Sequence, residues 1–302
     1  MKDPGTALRS HYEPSPGHNT LSGAELPDPA GSMTGGEYDL GLLVMGMHRS
    51  GTSATTAALA AVTNGTEIPS DDFPPCDDNA RGYSESMCLT TVNAILLEAL
   101  GGAWDTLPEF TPDWVDQLFD TQAPQFAQVN FDKTFTTDAW IWKDPRTCLT
   151  APFWLRLLKD RIDGIVIVFR HPEEVAASMA SSRPISYWGA LDLWSAYTRA
   201  AIHSAIGYRT LITSYHSLLD SPDTWLAQVG DLIDSTPLHL VANPARALMG
   251  VASPALRRHA RVPGGRRVLP QQASALFAEL MDLEGVHQHL SWRTADLLPS
   301  WR

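Results

Sequence analysis

Four short apolar runs punctuate the chain: LGLLVMG (40–46), AWIWKD (139–144), GIVIVFR (164–170) and YRTLITSY (208–215). They are near-continuous rather than alternating, the pattern of strands buried on both faces. Each precedes a stretch with helical period, at 51–63, 151–161, 172–182 and 222–234. Strand–helix alternation of this kind predicts an α/β domain, a parallel sheet flanked by helices on both faces. A long insertion of helix and loop, about 64–135, interrupts the pattern after the first strand–helix unit, with a helix expected over 85–100. Further helices are expected around 183–206 and 271–286. Residues 1–36 are rich in Pro, Gly and Ser and lack hydrophobic period, so they are expected to be a disordered leader before a single domain over 37–302.

Composition narrows the function. With 302 residues, 44% of them hydrophobic, the chain can bury a full core, and a net charge of −12 argues against a general binder of nucleic acid or membrane surfaces. An anion site must then come from cations gathered locally. Lysine occurs only at Lys2, Lys133, Lys143 and Lys159, and arginine supplies the other basic residues, a bias typical of a GC-rich bacterial genome. Cys76, Cys88 and Cys148 are scattered and form no CxxC pair, so neither a disulfide framework nor a metal site is expected, and a reducing compartment fits. No run reaches the roughly 18 apolar residues of a membrane span, and the N-terminus lacks a signal-peptide core; a cytoplasmic location is expected.

Candidate chemistry begins at VMGMHRSGTSATTAA (44–58). Gly46 and Gly51 stand with four residues between them, between a strand and a helix, the layout of a phosphate-binding turn, where exposed N–H groups and the helix dipole attract an anion. A nucleoside-triphosphatase loop carries lysine after the second glycine. Here Thr52 and Ser53 follow Gly51, and the nearby cation is Arg49. A second motif, IVFRHPEEVAASM (167–179), ends a strand at Arg170 and places Ser178 eight residues later, on a helix begun by Pro172. Such a pair suits a second phosphate.

Together, MHRSGTS and FRHPEEVAASM resemble the sulfotransferases that use 3′-phosphoadenosine 5′-phosphosulfate (PAPS), and in particular their bacterial branch. The likeness runs from about residue 40 to 262 and takes in NARGYSES (79–86), WKDPRTCLTAPFW (142–154), LDLWSAYTRAA (191–201), ITSYHSLLDSP (212–222) and SPALRRH (253–259). It implies a P-loop-like fold in which Arg49, Ser50, Gly51, Thr52 and Ser53 hold the 5′-phosphosulfate. Arg170 and Ser178 would then hold the 3′-phosphate, with Arg257 and Arg258 closing over it. A donor with no γ-phosphate accounts for the missing loop lysine and implies no required metal.

The resemblance makes Lys143, in WKDPR, the catalytic cation on the leaving oxygen, where developing charge is stabilised best. A structural pair with Asp144 is the other reading of Lys143, and Arg146 suits either ligand binding or a helix start. For the general base, Glu85 comes first and His48 second; Glu85 equally suits the first turn of a helix. Trp104, Trp140, Trp142 and Trp154 are given no role. His216 stands where relatives often carry an acid. The expected reaction moves a sulfuryl group to a hydroxyl of a carbohydrate or small metabolite, with acceptor choice set by the insertion and the helices around 183–206. A P-loop small-molecule phosphotransferase and a non-catalytic nucleotide-binding protein are the alternatives.

Overall fold

Five strands form one sheet in the order β2-β1-β3-β4-β5: β1 (Leu40–Met45), β2 (Ala139–Lys143), β3 (Ile162–Phe169), β4 (Thr210–Ser214) and β5 (Gly285–His287). The computed structural model describes residues 40–74, 82–234, 236, 238–252 and 269–291. The expected leader and the pair Arg257 and Arg258 lie outside them, as do the first three residues of NARGYSES.

β1 to β4 are parallel, and β5 runs antiparallel to β4, with Thr210 opposite His287. Alternate residues of the strands supply two separate cores. Leu42, Val44, Val166, Val168 and Leu211 face one, whereas Leu43, Met45, Ile165, Ile167, Phe169 and Ile212 face the other. Both faces are therefore dry, as the near-continuous apolar runs require.

The helices in chain order are α1 (Thr52–Val62), α2 (Met87–Ala99), α3 (Trp114–Phe119), α4 (Ala123–Thr134), α5 (Thr147–Leu157), α6 (Pro172–Ser182), α7 (Tyr187–Ser204), α8 (Tyr215–Asp220), α9 (Pro222–Ile233), α10 (Pro244–Val251) and α11 (Gln271–Asp282). α1 and α8 to α10 cover the first core; α2 to α7 and α11 cover the second. The insertion is thus built of α2, α3 and α4. Trp140, Trp142 and Trp154 are fully buried; the first two pack edge-on to Phe131 and Trp154 packs edge-on to Trp142, which makes them core.

Two boundaries differ from the sequence reading. α5 starts at Thr147 rather than 151 and carries Pro152 inside it. A mid-helix proline costs roughly 3 kcal/mol, but the earlier start buries Cys148, Leu149 and Thr150. The last helix ends at Asp282, and Gly285–His287 pairs with the open edge of β4 instead of continuing it. Three residues are too few for a strand period to register in sequence.

The helix starts explain where the site sits. Ser86 Oγ accepts from Leu89 N (3.0 Å) at α2, and Ser186 Oγ accepts from Gly189 N (3.0 Å) at α7. α6 opens with Pro172, capped by the His171 ring. α1 has no side-chain cap and no acid in its first turn. Its N-terminal N–H groups lack the oxygen acceptor that most caps supply.

Candidate active site

The carboxyl ends of β1 to β4 bring the predicted residues to one edge of the sheet, the edge where α/β folds place their ligands. β1 leads into the turn Gly46–Gly51, β2 ends in Lys143, β3 runs into Arg170, and β4 into Tyr215 and His216. Two glycines shape the turn. A Cβ on Gly46 would lie 2.3 Å from Val168 O, and one on Gly51, at φ 94°, would lie 2.3 Å from the Tyr215 ring. Arg49 takes a left-handed φ of 68° between them. That conformation costs a non-glycine residue roughly 1–3 kcal/mol and is kept where the surroundings enforce it.

Ser50 Oγ is buried in the turn without a hydrogen-bond partner in the protein. A buried hydroxyl of this kind, beside an uncapped helix start, suits the oxygen of an anionic ligand. Cys148 Sγ accepts from Gly46 N (3.1 Å) and tethers the back of the turn to α5. Burial pushes the thiol up to about 12.

Arg49 Nε donates to Ser178 Oγ on α6 (2.9 Å), and Arg170 Nη1 reaches the Arg49 carbonyl (3.5 Å). Arg49, Arg170 and Ser178 thus form one cluster, not two separated pieces. Glu174 Oε2 accepts from Arg170 Nε (2.6 Å) and lies 3.2 Å from His216 Nε2. The Arg170 guanidinium stacks 5.1 Å from the Tyr215 ring centre. His216 is thus a second basic residue against Glu174.

Lys143 is fully buried at the centre. Its ammonium donates to Ser53 Oγ (3.1 Å) and to Glu85 Oε1 (2.6 Å), and also to the Tyr83 carbonyl. All three of its protons are used. Ser53 Oγ itself donates to the Tyr83 carbonyl (2.8 Å). Asp144 does not pair with Lys143. It accepts from the Arg146 side chain (3.0 Å) and from Asn93 Nδ2 (2.8 Å). Asn93 Oδ1 in turn accepts from Thr150 (2.7 Å) and Trp154 (2.8 Å), so a satisfied buried network backs the charged pairs.

Glu85 precedes the α2 cap and is not part of the helix, unlike its alternative reading. Its Oε2 is buried without a hydrogen-bond partner and lies 3.8 Å from Arg146 Nη1. Burial raises the Glu85 carboxyl above the ordinary range, Lys143 works against that shift, and Asp144 adds to it. His48 packs edge-on to Trp104 (5.1 Å) and Tyr197 (5.9 Å), and its Nε2 is buried with no hydrogen-bond partner. Burial first, then Arg146, Arg183, Lys143 and Arg49, hold its imidazole well below the usual range, so it is neutral.

Sequence reasoning named the side chains that carry charge and missed those that act through the backbone or through shape. The Tyr83 carbonyl, Asn93 behind Asp144, and Tyr215 beneath Gly51 have no motif of their own. Glu174 lay inside a quoted motif without a role. Among the described residues, no three His, Cys, Asp or Glu side chains are grouped as metal ligands, and no helix is long and apolar enough to cross a membrane.

Three solved sulfotransferase structures resemble this chain. The sulfotransferase domain from the Synechococcus PCC 7002 olefin synthase is 15% identical, covering 80% of this chain and 95% of its own, with a TM-score of 0.44. Sulfotransferase STF1 from Mycobacterium tuberculosis H37Rv is 17% identical, covering 80% and 77%, with a TM-score of 0.48. The sulfotransferase domain from the curacin biosynthetic pathway is 12% identical, covering 86% and 93%, with a TM-score of 0.40. At identities and TM-scores this low, the likeness assigns no residue a role. No protein-family model and no curated protein matches the chain.

Proposed function

We propose that this chain is a PAPS-dependent sulfotransferase acting on a hydroxyl of a carbohydrate or small metabolite. The observation that carries the reading is Lys143, a buried ammonium bonded at once to a hydroxyl of the anion-binding turn and to the carboxylate of Glu85. A cation and a base side by side at the mouth of that turn suit transfer of an anionic group to a hydroxyl.

In this reading the turn from Arg49 to Ser53 holds the 5′ end of the donor, with Ser50 Oγ finding there the partner it lacks. Arg170 and Ser178 take the 3′-phosphate, and Glu174 keeps Arg170 oriented. The donor supplies the sulfuryl group. The acceptor oxygen forms a bond to sulfur as the bond from sulfur to the phosphate oxygen breaks, leaving 3′,5′-bisphosphoadenosine. Lys143 stabilises charge on the departing oxygen. The hydroxyl proton goes to Glu85, whose unpartnered Oε2 is the acceptor position; the raised carboxyl strengthens it as a base. His48, neutral and also unpartnered at Nε2, is the second candidate for that proton.

The test is titration calorimetry with 3′,5′-bisphosphoadenosine, adenosine 5′-monophosphate and magnesium-ATP, on the native chain and on Arg170→Ala. Magnesium-independent binding of the bisphosphate is expected, weakened at least tenfold by loss of either the 3′-phosphate or Arg170. A preference for magnesium-ATP sinks the reading in favour of a phosphotransferase. Bisphosphate binding with no sulfuryl transfer from PAPS across a panel of alcohols and phenols makes the chain a nucleotide-binding protein instead.

A further inference from the structure

Glu85 reaches Lys143 from a turn whose own geometry is unfavourable. Ser84, directly before it, has a left-handed φ of 52°. Ser84 and Arg49 are the two non-glycine residues of positive φ among the described residues. Something must hold the Ser84–Glu85 peptide in place.

The partner is a pair of consecutive carboxylates. Asp72 Oδ2 accepts from Ser84 N (2.9 Å), and Asp72 Oδ1 accepts from Glu85 N (2.9 Å). Asp71 accepts through its carbonyl from Met87 N (3.0 Å) and through Oδ2 from Ser86 Oγ (2.8 Å) and Cys88 N (2.9 Å). The two residues lie antiparallel to the turn, with Asp72 bridged to Ser86. Asp71 serves the start of α2. Asp72 serves only the strained peptide, and it does so with both oxygens. With their N–H groups turned toward Asp72, these two residues leave the Tyr83 carbonyl and the Glu85 side chain to converge on Lys143.

We propose that Asp72 is a positioning residue: its carboxylate clamps the Ser84–Glu85 peptide and so sets how closely Glu85 approaches Lys143. The inference rests on the reading of Glu85 as the base, but its geometry stands without it. The charged groups facing Glu85 are Lys143 from β2 and Arg146 and Asp144 from the start of α5. When the clamp is lost, Glu85 withdraws from Lys143 while remaining near Asp144. Its carboxyl then loses the ion that favours its charged form.

The experiment is a carbon-detected NMR titration of the full chain carrying 13C-carboxyl glutamate, with the Glu85 resonance assigned from Glu85→Gln. Asp72→Asn, similar in shape but with a donor in place of one acceptor, is expected to move the Glu85 midpoint up by about one pH unit. Asp72→Glu should bring it part of the way back. Bisphosphoadenosine affinity should change less than about threefold, because the hydrogen bonds of Asp72 go to Ser84 and Glu85 and not to the donor turn. Asp72→Ser is the second variant should the first not fold. A Glu85 midpoint unmoved in whichever of the two folds overturns the proposal. So does a loss of thermal stability and of bisphosphate affinity with no change at Glu85, which marks a merely structural residue. If the native chain binds no bisphosphate, the sulfotransferase reading falls, while the Glu85 titration still decides Asp72.

Discussion

At the scale of single residues, the Lys143–Glu85 pair stands out because both members are buried. An ion pair of this kind adds little net stability, yet removing one member strands the other in a dry site, at a cost of roughly 3–5 kcal/mol. Lys143→Ala should therefore destabilise the fold by about that amount in urea unfolding. Lys143→Met combined with Glu85→Gln should recover most of the loss while remaining inactive. Recovery of activity along with stability would mean that the pair is structural. Lys143 could be singled out in the sequence, being one of four lysines and at a strand end. Its partner was less legible, because proximity across 58 residues of chain leaves no trace in local spacing.

At the scale of elements, the strands were legible because burial on both faces writes a continuous apolar run, and β5 was not because three residues write none. The turn between β1 and α1 shows a finer contrast among glycines. Gly51→Ala would push a methyl group into the Tyr215 ring at a φ of 94°. A strain of roughly 1–3 kcal/mol predicts bisphosphoadenosine binding weaker by about 5- to 150-fold. Gly230, inside α9, has its nearest neighbour for a Cβ at 3.7 Å, in ordinary contact. Gly230→Ala should raise stability by about 0.5–1 kcal/mol, read as a higher thermal midpoint, with binding unchanged. Equal behaviour of the two variants in the binding assay would contradict the role of the turn. The spacing of Gly46 and Gly51 was readable in sequence. The cause of the Gly51 requirement was not, since Tyr215 arrives from the end of β4, two strands away from β1 in the sheet.

At the scale of the whole molecule, buried titrating groups bound the pH range of stability. His48 is held neutral in the fold, so below its ordinary value of 6.5 the unfolded chain takes up a proton that the folded chain refuses, and stability falls with falling pH. Cys148, ordinarily near 9.0, is raised to about 12; stability fully present below 9.0 is lost as pH climbs through that interval. Glu85, also raised, favours the fold below 4.5 and withdraws that support as pH rises through its shifted value, which blunts the acid side. The thermal midpoint should be highest between about pH 6.5 and 9. Cys148→Ser should flatten the alkaline decline and His48→Asn the acid one; an alkaline decline unchanged by Cys148→Ser would remove the thiol from the account.

The crossing of Glu85 and the Tyr83 carbonyl onto Lys143 also sets where the chain can be recombined. Half of the proposed reacting centre belongs to the insertion, and half belongs to the sheet. A chimera that imports residues 64–135 wholesale from another scaffold, in order to change the proposed acceptor, exchanges Glu85 and its Asp72 clamp along with it. The severable seam lies beyond Cys88, past the last hydrogen bond to Asp71. A graft that begins within α2 and keeps Asn93 behind Asp144 alters the rest of the insertion and leaves the Lys143–Glu85 pair intact.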